Sequence, residues 1–154
     1  MNKNRLLRIV LIILMVMTIA FIWGNSVLGR QASTEQSDSV RGFLQKIAEL
    51  LGLQWTLTIP MVRKAAHFLL FFLLGTEWTL YRLCGRQLNR QDVGSILSGV
   101  FTVAFLDETI QVFSKRGPLI TDVWLDISGG VTAMLLVFAL YYLINACKKK
   151  RGRG

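Results

Sequence analysis

Nine polar or charged side chains able to bind a ligand lie in or beside long apolar stretches of this sequence. They are Arg63, Lys64, His67, Asp107, Glu108, Gln111, Arg116, Asp122 and Asp126. Several repeat at a spacing of three or four residues, which places them on one face of a helix. An ionisable group at the centre of a membrane-spanning helix costs about 2.5 to 3.5 kcal/mol on insertion, so such groups usually face a bundle interior or a wet cavity. The pattern therefore predicts a polar pocket.

Three kinds of chemistry fit these side chains. His67 and Glu108 could act as an acid/base pair, with a carboxylate orienting the imidazole. Arg63, Lys64 and Arg116 could instead grip a phosphate or carboxylate headgroup through charge-assisted hydrogen bonds. The charges could also pair only with one another and hold the helices in register.

The residue types favour neither a metal centre nor a covalent nucleophile. One His beside several carboxylates could hold a divalent cation, but the chain has a single His and no HExxH motif, so we expect no metal and no other cofactor. Cys84 and Cys147 lie at the ends of apolar runs, away from the predicted pocket, and show no zinc-type or disulfide spacing. Neither Ser114 nor Thr121 has the signature of a nucleophile elbow.

Four apolar stretches are long enough to hold these groups inside a bilayer. A helix of about 20 residues crosses a hydrocarbon core about 30 Å thick. We place the spans near 8–28, 61–82, 93–114 and 123–145. Because a backbone in lipid must satisfy its own hydrogen bonds, these spans predict helices. The expected fold is all-α, a membrane-embedded four-helix transmembrane bundle forming a single domain over residues 1–154.

The predicted spans bring the polar groups to a common depth near one membrane surface. His67 lies roughly 9 Å into the second span, and Asp107 and Glu108 lie within roughly 10 Å of the far end of the third. Asp126 follows Asp122 by one turn at the start of the fourth. We therefore expect one pocket shared by three helices.

The connection between the first and second spans contains an amphipathic segment. Its first part, Gly29–Ser39, is rich in Ser and Gln and predicts a mobile loop. Over about 39–52, apolar residues then recur at helical spacing. They are Val40, Phe43, Leu44, Ile47, Leu50 and Leu51. We expect this helix to lie along the outer leaflet or to cap the bundle.

Charge distribution indicates a membrane rather than a nucleic acid as the partner. The chain is 53% apolar with a formal net charge of +9, but its basic residues form no aromatic-interleaved stripe that could track phosphates. Eleven of the 18 Lys and Arg residues lie in the N-terminal flank, the second connection and the C-terminal tail. The positive-inside rule then predicts that both termini are cytoplasmic, in a bacterial cytoplasmic membrane. The first apolar stretch is about 20 residues long, which favours an uncleaved anchor over a signal peptide. No sequence pattern indicates an oligomeric state.

Three polar motifs resemble, in order and spacing, the VanZ-like family of small bacterial integral membrane proteins. They are RKAAHF, ETIQVFSKRG and ITDVWLDISGG, one at each of the last three spans. FIWGNSVLGRQAS resembles the family's N-terminal part more loosely, so the resemblance covers essentially the whole chain. The positions that match the family's polar pattern are Lys64, His67, Glu108, Gln111, Arg116, Asp122 and Gly129. The chain has Asp126 where the family commonly has Asn, and Phe71 where it often has Tyr.

The resemblance implies the architecture more specifically than the activity. The role associated with the family's founding member is lowered sensitivity to the glycopeptide antibiotic teicoplanin, and the resemblance implies this role here. Many relatives, however, have no known link to resistance. We expect a cell-envelope membrane protein that lies in the lipid bilayer and binds an anionic lipid or envelope-precursor headgroup in its outer-facing pocket. Two alternatives stay open: an enzyme acting on a lipid-linked substrate through His67 and Glu108, and a purely structural or partner-binding bundle.

Overall fold

Five α-helices make up the part of the chain that the structure, a computed structural model, describes: residues 3–27, 30–52, 56–84, 89–114 and 120–151. The helices are α1 (Lys3–Val27), α2 (Arg30–Leu50), α3 (Ile59–Leu83), α4 (Arg90–Phe113) and α5 (Ile120–Arg151). These ranges contain no β-strand. The all-α prediction is therefore confirmed.

Four of these helices have the length and composition of membrane spans. They are α1, α3, α4 and, within α5, the segment Thr121–Lys149. Large apolar side chains such as Ile13, Phe101 and Leu135 are exposed on their outer surfaces, where a bilayer would cover them. The chain is thus a multi-pass membrane protein built as a four-span bundle, as the hydropathy pattern predicts.

Contacts at the helix ends define two ends of the bundle. At the terminal end, where α1 and α4 begin and α3 and α5 end, Arg8 Nη2 donates a hydrogen bond of 2.6 Å to the Cys84 carbonyl. At the distal end, where α1 and α4 end and α3 and α5 begin, Ser114 Oγ donates a bond of 2.8 Å to the Ser26 carbonyl. Successive spans therefore run in opposite directions, and Lys3 and Arg151 lie at the same end.

Helix α3 is central, because it contacts all four other described helices and packs most extensively against α5. Glycines allow this close approach. A methyl group on Gly75 would lie 2.6 Å from the Gly130 carbonyl oxygen, and one on Gly129 would overlap the Phe68 carbonyl oxygen. Small residues of this kind let helix backbones approach in membranes, where dispersion replaces the hydrophobic effect as the main packing force.

Local capping fixes the start of α4 at the terminal end. The Asn89 side chain accepts a hydrogen bond of 2.9 Å from the Asp92 backbone N–H, and Asp92 Oδ2 accepts one of 3.0 Å from the Asn89 N–H. This capping box satisfies two backbone donors that have no partner within the helix. Asp92 also lies 3.6 Å from Arg82 Nε, and Arg82 donates to Ser95, so α3 and α4 are tied together at this end.

The amphipathic helix between the first and second spans is present, but it begins earlier than predicted. The helix α2 starts at Arg30 instead of near residue 39, so the predicted loop over Gly29–Ser39 was wrong from Arg30 onward. The prediction gave too much weight to serine: Gln31, Ala32, Glu35 and Gln36 are acceptable or good helix formers. Ser39 is accommodated because its hydroxyl donates to the Glu35 carbonyl at 3.0 Å, one turn earlier in the same helix.

The other end of α2 and its apolar face follow the sequence pattern more closely. The helix ends at Leu50, and Gly52 follows in a left-handed conformation with φ of 73°, which glycine adopts without steric cost. Phe43, Leu50 and Leu51 are 65%, 86% and 70% exposed. The apolar stripe of α2 is thus turned away from the bundle.

Candidate functional site

The single histidine faces two buried carboxylates from two other helices. His67 Nδ1 on α3 lies 3.4 Å from Asp126 Oδ1 on α5 and 3.8 Å from Asp107 Oδ2 on α4. Both aspartates have no exposed surface, whereas 18% of the His67 side chain is exposed. These three residues, called the His–Asp cluster below, join the three helices that carry the polar motifs.

Helix lengths explain why the three residues meet. His67 is eight residues after Ile59, which is about 12 Å along the helix axis. Asp107 lies six residues before the end of α4 and Asp126 six residues after the start of α5, each about 9 Å from the distal end. Gly129 follows Asp126 by three residues on the same face, and its lack of a side chain brings α5 against α3 at this depth.

Hydrogen bonds from two other residues orient Asp107. Ser26 Oγ on α1 donates to Asp107 Oδ1 at 2.5 Å, and Gln111 Nε2 donates to Asp107 Oδ2 at 3.0 Å. Ser114 Oγ in turn donates to the Ser26 carbonyl. The first helix is therefore part of the polar site and not only a membrane anchor.

Sequence reasoning missed Ser26, although α1 carried a signal. Thr18, Ile22 and Ser26 follow one another at intervals of four residues and are all buried. Two hydroxyl residues on one face of a highly apolar span indicate that this face lies inside a bundle. Thr18 confirms this reading, because its Oγ1 donates a hydrogen bond of 3.0 Å to Oε1 of Glu77, which is buried on α3.

Asp126 is the least satisfied member of the His–Asp cluster. Its Oδ1 faces His67, and its Oδ2 has no hydrogen-bond partner among the residues that the structure describes. A buried carboxylate oxygen that accepts no hydrogen bond is costly, because water no longer solvates it. The site therefore has the capacity to accept a further donor or cation.

A cavity of about 310 Å³ lies between α1, α2 and α3 and is lined by His67. Most of its wall is apolar, with Phe21, Val62 and Leu70 among the lining side chains. Arg63 adds a permanent positive charge beside the histidine. An apolar chamber with a cation at its wall has the chemistry to bind an amphiphile with an acidic headgroup.

The other residues predicted for the pocket are distributed around the cluster. Glu108 and Gln111 are buried on α4, at 8% and 7% exposure. Lys64 Nζ lies 3.9 Å from Asp122 Oδ1, with the Lys64 side chain 54% exposed, so this pair contributes little to stability. Arg116 lies outside the described residues.

The fold and the site together define a class: a multi-pass α-helical membrane protein with a buried His–carboxylate cluster beside an amphiphilic cavity. The family model for VanZ/LLP1 matches residues 8–143. The chain belongs to this family, which confirms the family resemblance expected from the sequence. No curated protein and no solved structure gives a significant match to the chain.

Proposed function

We propose that this protein binds an anionic amphiphile, such as a lipid or a lipid-linked envelope precursor, in the cavity between α1, α2 and α3. The observation that carries the proposal is the combination of an apolar lining with Arg63 and His67 in one cavity. The apolar wall accommodates part of an acyl or polyprenyl chain, and the cation pairs with the headgroup.

Arg63 is the residue best suited to hold the headgroup. Its guanidinium is charged at all physiological pH values and presents a planar set of donors that matches a phosphate or carboxylate. Lys64 is exposed beside it and adds a second positive charge at the same end of α3. Asp107 and Asp126 lie on the other side of His67, so the histidine stands between the anion site and the carboxylates.

The proposed orientation places this cavity in the outer half of a bacterial cytoplasmic membrane. Support comes from the basic residues concentrated towards the terminal end, which the positive-inside rule assigns to the cytoplasm. The exposed apolar stripe of α2 would then lie in the outer leaflet, next to the cavity. Binding an envelope precursor there would change the cell's sensitivity to teicoplanin, which is how we propose to connect the site with the resemblance described above.

A second candidate function is acid/base chemistry on a lipid-linked substrate. It is favoured by the ring of His67, which is partly exposed while its Nδ1 faces two carboxylates that would orient it. In this reading Asp107 and Asp126 orient the imidazole, and Glu108, buried on α4, stays the acid/base partner of His67. Replacing His67 by Ala and Glu108 by Gln separately tests this reading: loss of an envelope phenotype at a normal protein level supports it, and an unchanged lipid-precursor profile in a deletion strain contradicts it.

The binding proposal is tested by titrating the purified full-length protein with lipids of equal chain length. Phosphatidylglycerol should bind more tightly than phosphatidylcholine, and undecaprenyl phosphate distinguishes a lipid-linked precursor from a glycerophospholipid. Arg63→Gln should weaken binding of the anionic ligand about tenfold or more, since a charge-assisted bond is worth about 1.5 to 3 kcal/mol.

The matched control for this titration is Lys46→Gln, which removes the same charge from an exposed position on α2 that does not line the cavity. It should leave the affinity unchanged. Equal losses of lipid affinity in the two variants would contradict the proposal. So would the absence of any preference of the original protein for the anionic lipid.

A further inference from the structure

We propose that His67, Asp107 and Asp126 together bind one divalent transition-metal cation, of which Zn²⁺ is the best fit. This site is separate from the anion position at Arg63, although His67 borders both. The three residues can each offer one ligand atom, and those atoms all lie within 4.8 Å of one another.

The separations between ligand atoms are close to those of a metal centre. Zinc binds histidine nitrogen at about 2.0 to 2.1 Å and carboxylate oxygen at about 2.0 to 2.2 Å, so two ligands of a tetrahedral ion stand about 3.3 Å apart. His67 Nδ1 lies 3.4 Å from Asp126 Oδ1 and 3.8 Å from Asp107 Oδ2. Movement of the two carboxylates toward a shared cation would bring these two distances to that value, and all three ligand atoms already lie within 4.8 Å of one another.

Asp126 gives independent support for a ligand. Its side chain is fully buried, and its Oδ2 has no hydrogen-bond partner among the described residues. A buried carboxylate oxygen in this condition has lost water without gaining a donor, which is unfavourable unless a cation or proton occupies the position. A divalent cation between Asp126 and His67 supplies the missing partner and the opposite charge.

The surroundings provide the remaining parts of a metal site. Ser26 and Gln111 hold Asp107 by hydrogen bonds of 2.5 and 3.0 Å, in the way that outer partners orient metal ligands. The cavity lined by His67 gives a path of entry from the side of α1 and α2. Three protein ligands leave a fourth position open for water or a ligand, as in zinc sites that are not purely structural.

The ligand set selects the kind of metal. One imidazole with two carboxylates suits Zn²⁺, Mn²⁺ or Fe²⁺, whereas Ca²⁺ and Mg²⁺ prefer oxygen ligands alone. The sequence alone favours no metal, although one His beside several carboxylates is compatible with a cation, because these ligands come from three helices, 40 and 19 residues apart along the chain, and form no local motif.

The test is equilibrium dialysis of the full-length protein against ZnCl₂ after treatment with a chelator, with bound zinc measured by mass spectrometry. The protein is purified without a histidine tag and kept in detergent. We expect one zinc ion per chain. Loss of a residue that hydrogen-bonds to a metal ligand typically weakens metal binding about 10- to 100-fold. Ser26→Ala removes such a residue and should weaken zinc binding by about this factor. His67→Ala and Asp126→Asn remove ligands themselves, so each should weaken zinc binding by more.

The matched control is Glu77→Gln, which replaces a buried carboxyl group on α3 whose Oε1 accepts a hydrogen bond from Thr18, outside the His–Asp cluster. It should bind zinc like the original protein.

If the cluster variants do not fold, the original protein loaded with Co²⁺ tests the metal site instead. It should show the intense visible absorption of four- or five-coordinate cobalt. Absence of stoichiometric zinc binding and of this spectrum overturns the proposal, as does unchanged binding in folded His67→Ala and Asp126→Asn. The Arg63→Gln variant should retain its zinc, so the metal site and the anion site can fail independently.

Discussion

The Ser26 hydroxyl donates a hydrogen bond of 2.5 Å to Asp107 Oδ1, which joins the first span to the third beside His67. Both residues are buried, at 1% and 0% exposure. The contact means that all four spans contribute to one polar site: α1 through Ser26, α3 through His67, α4 through Asp107 and α5 through Asp126. Displacing any one helix therefore disturbs the position of the carboxylates.

Ser26→Ala should lower the free energy of unfolding by about 1 to 2 kcal/mol. This is the upper part of the range for hydrogen bonds between membrane helices, because the substitution leaves a buried carboxylate oxygen short of a donor. Unfolding of the purified protein in mixed micelles measures the effect. The control is Ser98→Ala on α4, whose exposed hydroxyl donates to the Ser95 carbonyl of its own helix. If Ser98→Ala lowered the free energy of unfolding as much as Ser26→Ala, the hydrogen bond to Asp107 would not be the cause of the destabilisation.

Thr18→Val should destabilise the bundle by a similar amount, about 1 to 2 kcal/mol, by a different contact. The valine has the shape of threonine but cannot donate to Glu77, which is 5% exposed and lies six residues before the end of α3. Thr18→Ser keeps the hydroxyl and should restore most of the stability. Thr132→Val serves as the control, since the Thr132 hydroxyl is exposed and bonds to the Ser128 carbonyl of its own helix. Equal behaviour of serine and valine at position 18 would argue against the hydrogen bond.

Gly129→Ala should destabilise the protein more than either of these changes and displace α5 from α3. The added methyl group would overlap the Phe68 carbonyl oxygen, and that backbone can move only by separating the two helices. Gly94→Ala is the opposite case: no atom lies within 4 Å of the new methyl group, so better helix propensity should stabilise α4 by about 0.5 to 1 kcal/mol. Thermal unfolding of both variants in the same detergent compares them. Similar melting temperatures would mean that α3 and α5 do not approach at Gly129.

The spans and the polar faces could be predicted from the sequence because each is a local pattern. Apolar length alone identifies α1, α3, α4 and α5, and a spacing of three or four residues puts Glu108 and Gln111 on one face. Depth along each helix followed from the rise per residue. The common level of His67, Asp107 and Asp126 was therefore predictable before any contact was known.

The pairings within the site could not be predicted, since they depend on how far each helix is rotated about its axis. Asp107 and Glu108 are adjacent in sequence, and the sequence favoured Glu108 as the partner of His67. In the structure Asp107 Oδ2 lies 3.8 Å from His67 Nδ1, a contact that depends on the rotation of α4, whose Ile96, Val100 and Ala104 pack in the core. The contact of Ser26 depends on rotation as well: Thr18, Ile22 and Ser26 share one face of α1, but the rotation of that helix decides that this face meets Asp107.

The orientation in the membrane can be tested with cysteine labelling in intact cells. Cys147 is exposed near the end of α5 and should react with a membrane-impermeant maleimide only after the cells are opened. Glu49→Cys, on the exposed polar side of α2, should react without opening them. Cys84 is buried and provides a low background. Labelling of Cys147 in intact cells would place the cavity on the cytoplasmic side and contradict the proposed binding of an outer-leaflet ligand.

The most direct test of the His–Asp cluster uses the fact that the chain has a single histidine. Solid-state NMR on protein with ¹⁵N-labelled histidine and ¹³C-carboxyl aspartate, reconstituted in lipid, measures dipolar couplings from the His67 ring nitrogens to nearby carboxyl carbons. We expect couplings to two aspartates, one of which disappears in Asp126→Asn and the other in Asp107→Asn. No measurable coupling to any aspartate, or couplings unaffected by both substitutions, would show that His67 does not lie between Asp107 and Asp126.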